Sequence, residues 1–345
     1  MNNKITFINV AGFFGSGSSA VVDLLKEFKD FYECDAEIRF IKDPGGLCDL
    51  ETALLNHWDL INSAAAIADF RKMIKKGCRH GRHFWSPAGM GYAHNISKNF
   101  MALTDEYITK LTNYTYIGDF YHFKFQKPYL KYLLDRYRTA IEYYSKGKFR
   151  TGNRSLTPLH FSHPSSEQFY EATQWFMEAI FAERVRGKDN PYIILDQAVS
   201  PSNTQVIHKY FKNSKLIIVD RDPRDMFANE YRWGCYLDND YNEIKGGHNF
   251  AIRQRALRDT MVFDKDVLYI KFEDLIVDYD NTKAKIMEFV GLTEVDHLCP
   301  KKFLKPEVSI KNIGLWQKYH GELGVALDVI GEELPDLCYD LNKIK

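Results

Sequence analysis

The sequence has no surplus of charge of either sign: 46 Lys and Arg stand against 46 Asp and Glu. A protein that holds nucleic acid through bulk charge needs a basic excess, so that class is excluded, while a local anion site is not. Nowhere does the chain reach the roughly 18 uninterrupted apolar residues of a membrane span. Segment 5–25 is fairly apolar, but Asn9, Gly12, Gly15, Ser16, Gly17, Ser18 and Ser19 interrupt it, and only Lys4 charges its start. It therefore does not read as a secretory leader. The six cysteines, Cys34, Cys48, Cys78, Cys235, Cys299 and Cys338, include no C-x-x-C pair, which excludes the common zinc and redox motifs. Thiols scattered in this way fit a reducing compartment, and a cytoplasmic location is expected. Internal repeats and low-complexity tracts are also lacking.

What is there is a globular mixture: 45% apolar and 27% charged residues. A chain of 345 residues can bury a large core without staples. Lys4–Val10 reads as a short buried strand, a Gly/Ser-rich turn runs from Gly12 to Ser19, and Ala20, Val21, Leu24, Leu25 and Phe28 recur at helical spacing. Phe31–Phe40 supplies a second strand. Tyr192–Asp196, Leu216–Asp220 and Val267–Lys271 are further apolar strands, alternating with helices over Asn203–Phe211 and Thr282–Val290. Near-continuous apolar strands alternating with helices predict an α/β fold around a central parallel sheet.

Residues 54–190 break this rhythm. Helices are expected over Lys98–Asn113, Lys127–Lys146 and Ser166–Arg186, with Tyr and Phe dense from Tyr107 to Phe149. We read a single domain, 1–345, carrying a helical, aromatic-rich insertion. Most of its aromatics should pack its own core, and some should shape an acceptor pocket. Pro158, Pro164 and Ser165–Ser166 mark a loop within it, and Gly246–Gly247 mark a later one.

Two constellations carry chemistry. Gly12-Phe13-Phe14-Gly15-Ser16-Gly17-Ser18-Ser19 joins a strand to a helix, where glycines let backbone N–H groups turn toward an anion. Its spacing matches the nucleotide-binding G-x-x-x-x-G-K-[ST] loop except that Ser18 stands where the lysine belongs. Arg221-Asp222-Pro223-Arg224-Asp225 follows the strand Leu216–Asp220, with Asp222 placed to cap a helix and Pro223 at its first position. Arg221 then lies at the carboxyl edge of the sheet, where a guanidinium can grip a phosphate with two hydrogen bonds. A plain ion pair with a neighbouring Asp is the competing role.

These residues resemble the sulfotransferases that use 3′-phosphoadenosine 5′-phosphosulfate (PAPS). Gly15-Ser16-Gly17-Ser18-Ser19 is similar to that family's K-S-G-T-T-like loop, and Arg221–Asp225 to its R-[DN]-P-R-D, with Asn229 at the family's Ser position. Tyr269–Leu275 followed by Ile286–Leu292 resembles the strand-(Y/F)-E-D-L stretch and F-x-G-L helix, and Lys311–Trp316 the closing G-x-W segment. No family motif is recognised between Leu54 and Arg186. The resemblance implies a P-loop-like three-layer sandwich and transfer of a sulfuryl group to a hydroxyl acceptor such as a sugar, glycolipid or small metabolite. It implies no metal, nucleic-acid partner or membrane span. Gly15, Ser16, Gly17, Ser18 and Ser19 would hold the phosphosulfate, Arg221 and Asn229 the nucleotide's 3′-phosphate, and Lys311 would bind the nucleotide from the closing segment.

The family's loop lysine is replaced by Gly15, so another cation should support the leaving phosphate; Arg39, Arg82 and Arg154 are candidates. Ala36–Phe40 resembles the heparan-type stretch that carries the general base, which makes Glu37 the candidate base, with a plain ion pair to Arg39 as its alternative role. His80, His83, His94, His122, His160 and His163 are rivals. Two other classes stay open: a P-loop kinase with Asp220 or Asp196 holding magnesium, and a nucleotide-binding relative without catalysis.

Overall fold

The computed structural model describes residues 4–34, 36–80, 89–118, 128–149, 157–235 and 237–343. Arg82, His83, His122 and Arg154 lie outside the described residues. The chain divides into two compact units, one formed by Met1–Arg39 with Phe181–Lys345 and the other by Phe40–Ile180. The strands, in chain order, are β1 (Thr6–Gly12), β2 (Phe31–Glu33), β3 (Tyr114–Gly118), β4 (Thr157–Phe161), β5 (Tyr192–Asp196), β6 (Ser214–Asp220) and β7 (Val267–Lys271).

In the first unit five strands pair in the order β2-β5-β1-β6-β7, every pair parallel. The register sets Val10 beside Asp196, Gly12 beside Val219 and Asp220 beside Lys271. The chain therefore leaves β1, β5, β6 and β7 at one carboxyl edge. β1 is buried along almost its whole length, which is why it reads as an apolar run rather than an alternation. The helix Ser19–Leu25 packs Val21, Leu24 and Leu25 into the same core as Ile8, Val10, Ile217 and Val219. On the opposite face of β1 from Ile8 and Val10, the buried Asn9 amide donates to Ser214 Oγ at 2.7 Å.

The second unit is mostly helical, with long helices Leu60–Gly77, Phe100–Leu111, Tyr129–Tyr144 and Ser166–Ala182. It adds an antiparallel pair, β3 with β4, that the sequence did not announce. Its core is aromatic: Phe40 meets Tyr92, Phe100 and Phe176 edge-on, and Tyr107 stacks on Phe176 at 4.9 Å. Buried Tyr107 shares a 2.9 Å hydrogen bond with Thr173, and burial pushes its hydroxyl pKa up.

Four expectations need correction. β2 ends at Glu33, and 36–40 is not strand. The helix expected over Asn203–Phe211 splits into a 3-10 turn, Pro201–Asn203, and a short helix, Val206–Tyr210, because Ser200 caps a separate start with Pro201 at its first position. Pro158 lies in β4 opposite Ile117, tolerated because a two-stranded sheet consists only of edges. Gly246 and Gly247 sit inside the helix Ile244–Asp259 rather than in a loop. A Cβ on Gly247 would lie 2.6 Å from the Ala326 carbonyl, so this glycine lets the helix close onto His320–Glu333.

Candidate active site

The glycine loop leaves β1 at Gly12 and enters its helix at Ser19. Gly15 and Gly17 adopt φ of 76° and 82°, the left-handed region that other residues avoid. A Cβ on Gly17 would stand 2.7 Å from the Phe272 ring, and one on Gly12 would overlap Ser16 Oγ. The turn is thus held tightly between the ends of β1 and β7. Ser16 is fully buried, and its Oγ has no hydrogen-bond partner. Ser18 Oγ accepts a 2.8 Å hydrogen bond from the Gln197 amide, and Gln197 itself sits just past β5 at φ 56°.

Arg221 comes to this loop from the end of β6. It is only 4% exposed. Its Nη1 donates to the Gly15 carbonyl at 2.9 Å, its Nη2 donates to the Asn312 carbonyl, and the guanidinium lies over the Phe272 ring. Its Nε is buried without a partner. Asn229 Nδ2 stands 3.5 Å from the same Gly15 oxygen. So Gly15, Arg221, Asn229 and the Asn312 carbonyl converge, and the neighbouring Lys311 side chain is exposed.

The acidic residues of R-D-P-R-D are buried partners. Asp222 caps the helix Pro223–Trp233 by accepting from the Arg224 N–H at 2.9 Å, as its position implies. It also accepts from the Tyr339 N–H at 2.9 Å and pairs with the Arg224 guanidinium at 2.7 Å. Asp225 lies 3.2 Å from Arg221 and accepts the N–H groups of Gly314 and Trp316, each at 2.9 Å. Burial raises the Asp225 pKa, with Arg221 and the Trp316 N–H pulling the other way. Arg224 in turn covers Trp316, at 4.5 Å from the ring centroid. Phe272, Gln197 and the double grip of Asp225 are features that sequence reading missed.

Asp220, the strand-end residue open to a magnesium role, has both oxygens engaged: Arg258 Nε donates to one at 2.9 Å and Arg258 Nη2 to the other. Tyr269 also donates to it. Its place is inside an ion pair rather than at a ligand. Glu37 and Arg39 form an exposed pair at 3.6 Å. Their stretch is tied to the carboxyl edge by the Ile38 N–H, which donates to the Asp196 carbonyl at 3.0 Å.

The described histidines of the insertion belong to the second unit. His80 and His94 pack together, His160 bonds Thr112 with its pKa lowered by burial, and His163 lies against Trp58. His208, Asp264 and Asp266 cluster at the opposite, amino edge of the sheet, where His208 and Asp264 share a 2.7 Å hydrogen bond.

The residues fit an anionic ligand. Two buried donors, Ser16 Oγ–H and Arg221 Nε–H, belong to side chains at the loop and lack acceptors. Burying a donor without an acceptor costs about 1–3 kcal/mol, which a phosphate oxygen would recover. Among the described residues, no helix is long and apolar enough to cross a membrane.

Solved structures similar to this chain include the sulfotransferase domain from the Synechococcus PCC 7002 olefin synthase, at 15% identity over 98% of this chain and 96% of that one, with a TM-score of 0.42. The sulfotransferase domain from the curacin biosynthetic pathway is 11% identical over 96% and 98%, with a TM-score of 0.42. A sulfotransferase from Mycobacterium avium is 11% identical over 97% and 76%, with a TM-score of 0.38. No curated protein matches the sequence. The model of the sulfotransferase family, however, matches residues 98–296. That match takes in Arg221–Asp225 and Tyr269–Leu275, and it starts well inside the stretch where no family motif was recognised. It covers more than half of the 345 residues, and the chain belongs to the sulfotransferase family.

Proposed function

We propose that the protein transfers a sulfuryl group from PAPS to a hydroxyl acceptor, a carbohydrate or glycolipid, and releases 3′,5′-bisphosphoadenosine. The observation that carries this is the meeting of Arg221 with the glycine loop at 2.9 Å, with partnerless buried donors on both elements. The donor supplies an activated sulfuryl group; the chain supplies position and charge. Ser16, Ser18, Ser19 and the N–H groups of Gly15 and Gly17 hold the phosphosulfate end. Arg221 and Asn229 hold the 3′-phosphate, and Lys311 binds the nucleotide from the closing segment. Glu37 takes the proton of the acceptor hydroxyl, and Arg39 beside it supplies positive charge where the loop carries Gly15 in place of lysine.

Engagement of both Asp220 oxygens by Arg258 removes one of the two carboxylates, Asp220 and Asp196, that the kinase class could use for a metal. The absent lysine favours a second reading, a donor-binding relative without turnover. A thermal-shift titration with 3′,5′-bisphosphoadenosine, AMP and Mg-ATP tests the donor site. Ligand at 100 times its dissociation constant adds about 2.7 kcal/mol to stability. A shift with the bisphosphate alone, reduced in Asn229→Ala and lost in a folded Arg221→Ala, is expected. A shift only with Mg-ATP overturns the donor assignment. With binding in hand, transfer of labelled sulfate to an acceptor panel separates the two readings, and Glu37→Gln should abolish turnover while leaving bisphosphate binding intact.

A further inference from the structure

The helix Tyr129–Tyr144 differs from every other long helix described: none of its residues is buried. Its sequence is nonetheless strongly two-sided. At about 100° per residue, Tyr129, Leu133, Tyr144, Tyr137, Leu130 and Leu134 fall in that angular order within a continuous arc of about 140°. All six are exposed, Leu130 by 76% and Tyr144 by 82%. An apolar face of this kind on a helix is ordinarily turned to a core.

The charges are sorted around that arc. Arg136 lies about 20° beyond one edge, and Arg138 and Lys131 about 40° and 60° beyond the other. The acidic residues, Asp135 and Glu142, lie opposite the apolar arc. Lys146 and Lys148 follow at the carboxyl end, so residues 128–149 carry five basic side chains (131, 136, 138, 146 and 148) against two acidic ones in a chain with no net charge. Arg136 thus borders the apolar arc directly, while Arg138 and Lys131 stand between it and the acidic residues.

We infer that the helix Tyr129–Tyr144 is an interfacial helix that lays its Tyr/Leu face into an anionic lipid surface, with Lys131, Arg136 and Arg138 reaching the headgroups. The pattern is the one a bilayer interface selects: an apolar stripe, tyrosines with a polar tip, and basic side chains along its borders. Area separates this occupant from a second copy of the chain. Sixteen residues make a helix roughly 24 Å long, whose one face offers a few hundred Å², well under the roughly 800 Å² per partner of a stable protein interface. A lipid surface needs no complementary groove and rewards charge and apolar area separately. This surface is independent of the donor-site reading.

Co-sedimentation of the full chain with phosphatidylcholine vesicles, with and without phosphatidylglycerol, tests the inference. Binding to the anionic vesicles, weakened by salt, is expected. Leu130→Glu/Leu134→Glu should lower it at least about tenfold. Lys131→Glu/Lys148→Glu should lower it at least about 25-fold, at about fivefold per basic side chain. Because these side chains are exposed, both variants should keep the parent melting temperature and its bisphosphate-induced shift. Absence of vesicle binding overturns the inference, as does binding that neither variant changes. So does a self-association by the parent chain, seen by sedimentation, that Leu130→Glu/Leu134→Glu abolishes without any vesicle binding.

Discussion

The Asp225 carboxylate accepts the backbone N–H of Trp316 at 2.9 Å, tying the helix after β6 to a segment 91 residues further on. The same carboxylate holds the Gly314 N–H and faces Arg221. One buried side chain therefore fixes both the cation at the glycine loop and the strap that supplies the Asn312 carbonyl to it.

Asp225→Ala should lower unfolding stability by about 3–5 kcal/mol, because Arg221 stays buried while its partner and the acceptor for two N–H groups are lost. Urea denaturation measures this. Asp225→Asn keeps one acceptor oxygen and removes the charge, so it should fall between the two. If Asp225→Ala costs less than about 1 kcal/mol, Arg221 is not held by this pair.

The loop makes an opposite demand. Ser16 Oγ is buried and partnerless, so Ser16→Ala should leave stability unchanged or slightly raised. If that hydroxyl serves the nucleotide, the same change should weaken bisphosphate binding about fivefold, from the loss of roughly 1 kcal/mol of hydrogen bonding. Gly17→Ala should instead lower the melting temperature, because φ is 82° and a Cβ would press on Phe272. Titration calorimetry with each variant separates a ligand-directed hydroxyl from a structural one: unchanged affinity in Ser16→Ala removes it from the site.

Much of this was legible because it is local. The strand–glycine loop–helix order, the capping role of Asp222 and the meeting of Arg221 with the loop's sheet edge follow from turn chemistry and from parallel strands sharing one edge. What escaped depends on distant partners. Nothing in the neighbourhood of Asp225 announces Gly314 and Trp316, and nothing near Asp220 announces Arg258. Gly246–Gly247 misled for a related reason: glycine serves both turns and close contacts, and the Asp240–Tyr241 backbone at Gly246 and the distant Ala326 at Gly247 decide which. The helix Tyr129–Tyr144 was legible as a helix, but its periodicity implied a buried face that the fold leaves exposed.

Glu273 should make stability depend on pH near neutrality. It is fully buried, its Oε1 accepts the Asp222 N–H at 2.8 Å, and its Oε2 has no partner. Burial pushes its carboxyl from 4.5 up to about 7. In that window the folded chain keeps a proton that the unfolded chain has released. The stabilisation is therefore complete below pH 4.5, is lost as pH rises toward 7, and changes no further above it. A shift of this size corresponds to something on the order of 3 kcal/mol. Glu230, likewise pushed up to about 7 by burial, titrates over the same range, so the wild-type profile alone does not isolate Glu273. Glu273→Gln keeps an acceptor for the Asp222 N–H and cannot ionise. Its stability relative to wild type should rise steadily as pH rises through the window and level off above pH 7. Urea denaturation of both proteins from about pH 5 to 8 reads the difference directly; a difference that stays flat over that range means the buried carboxyl already titrates at its ordinary value.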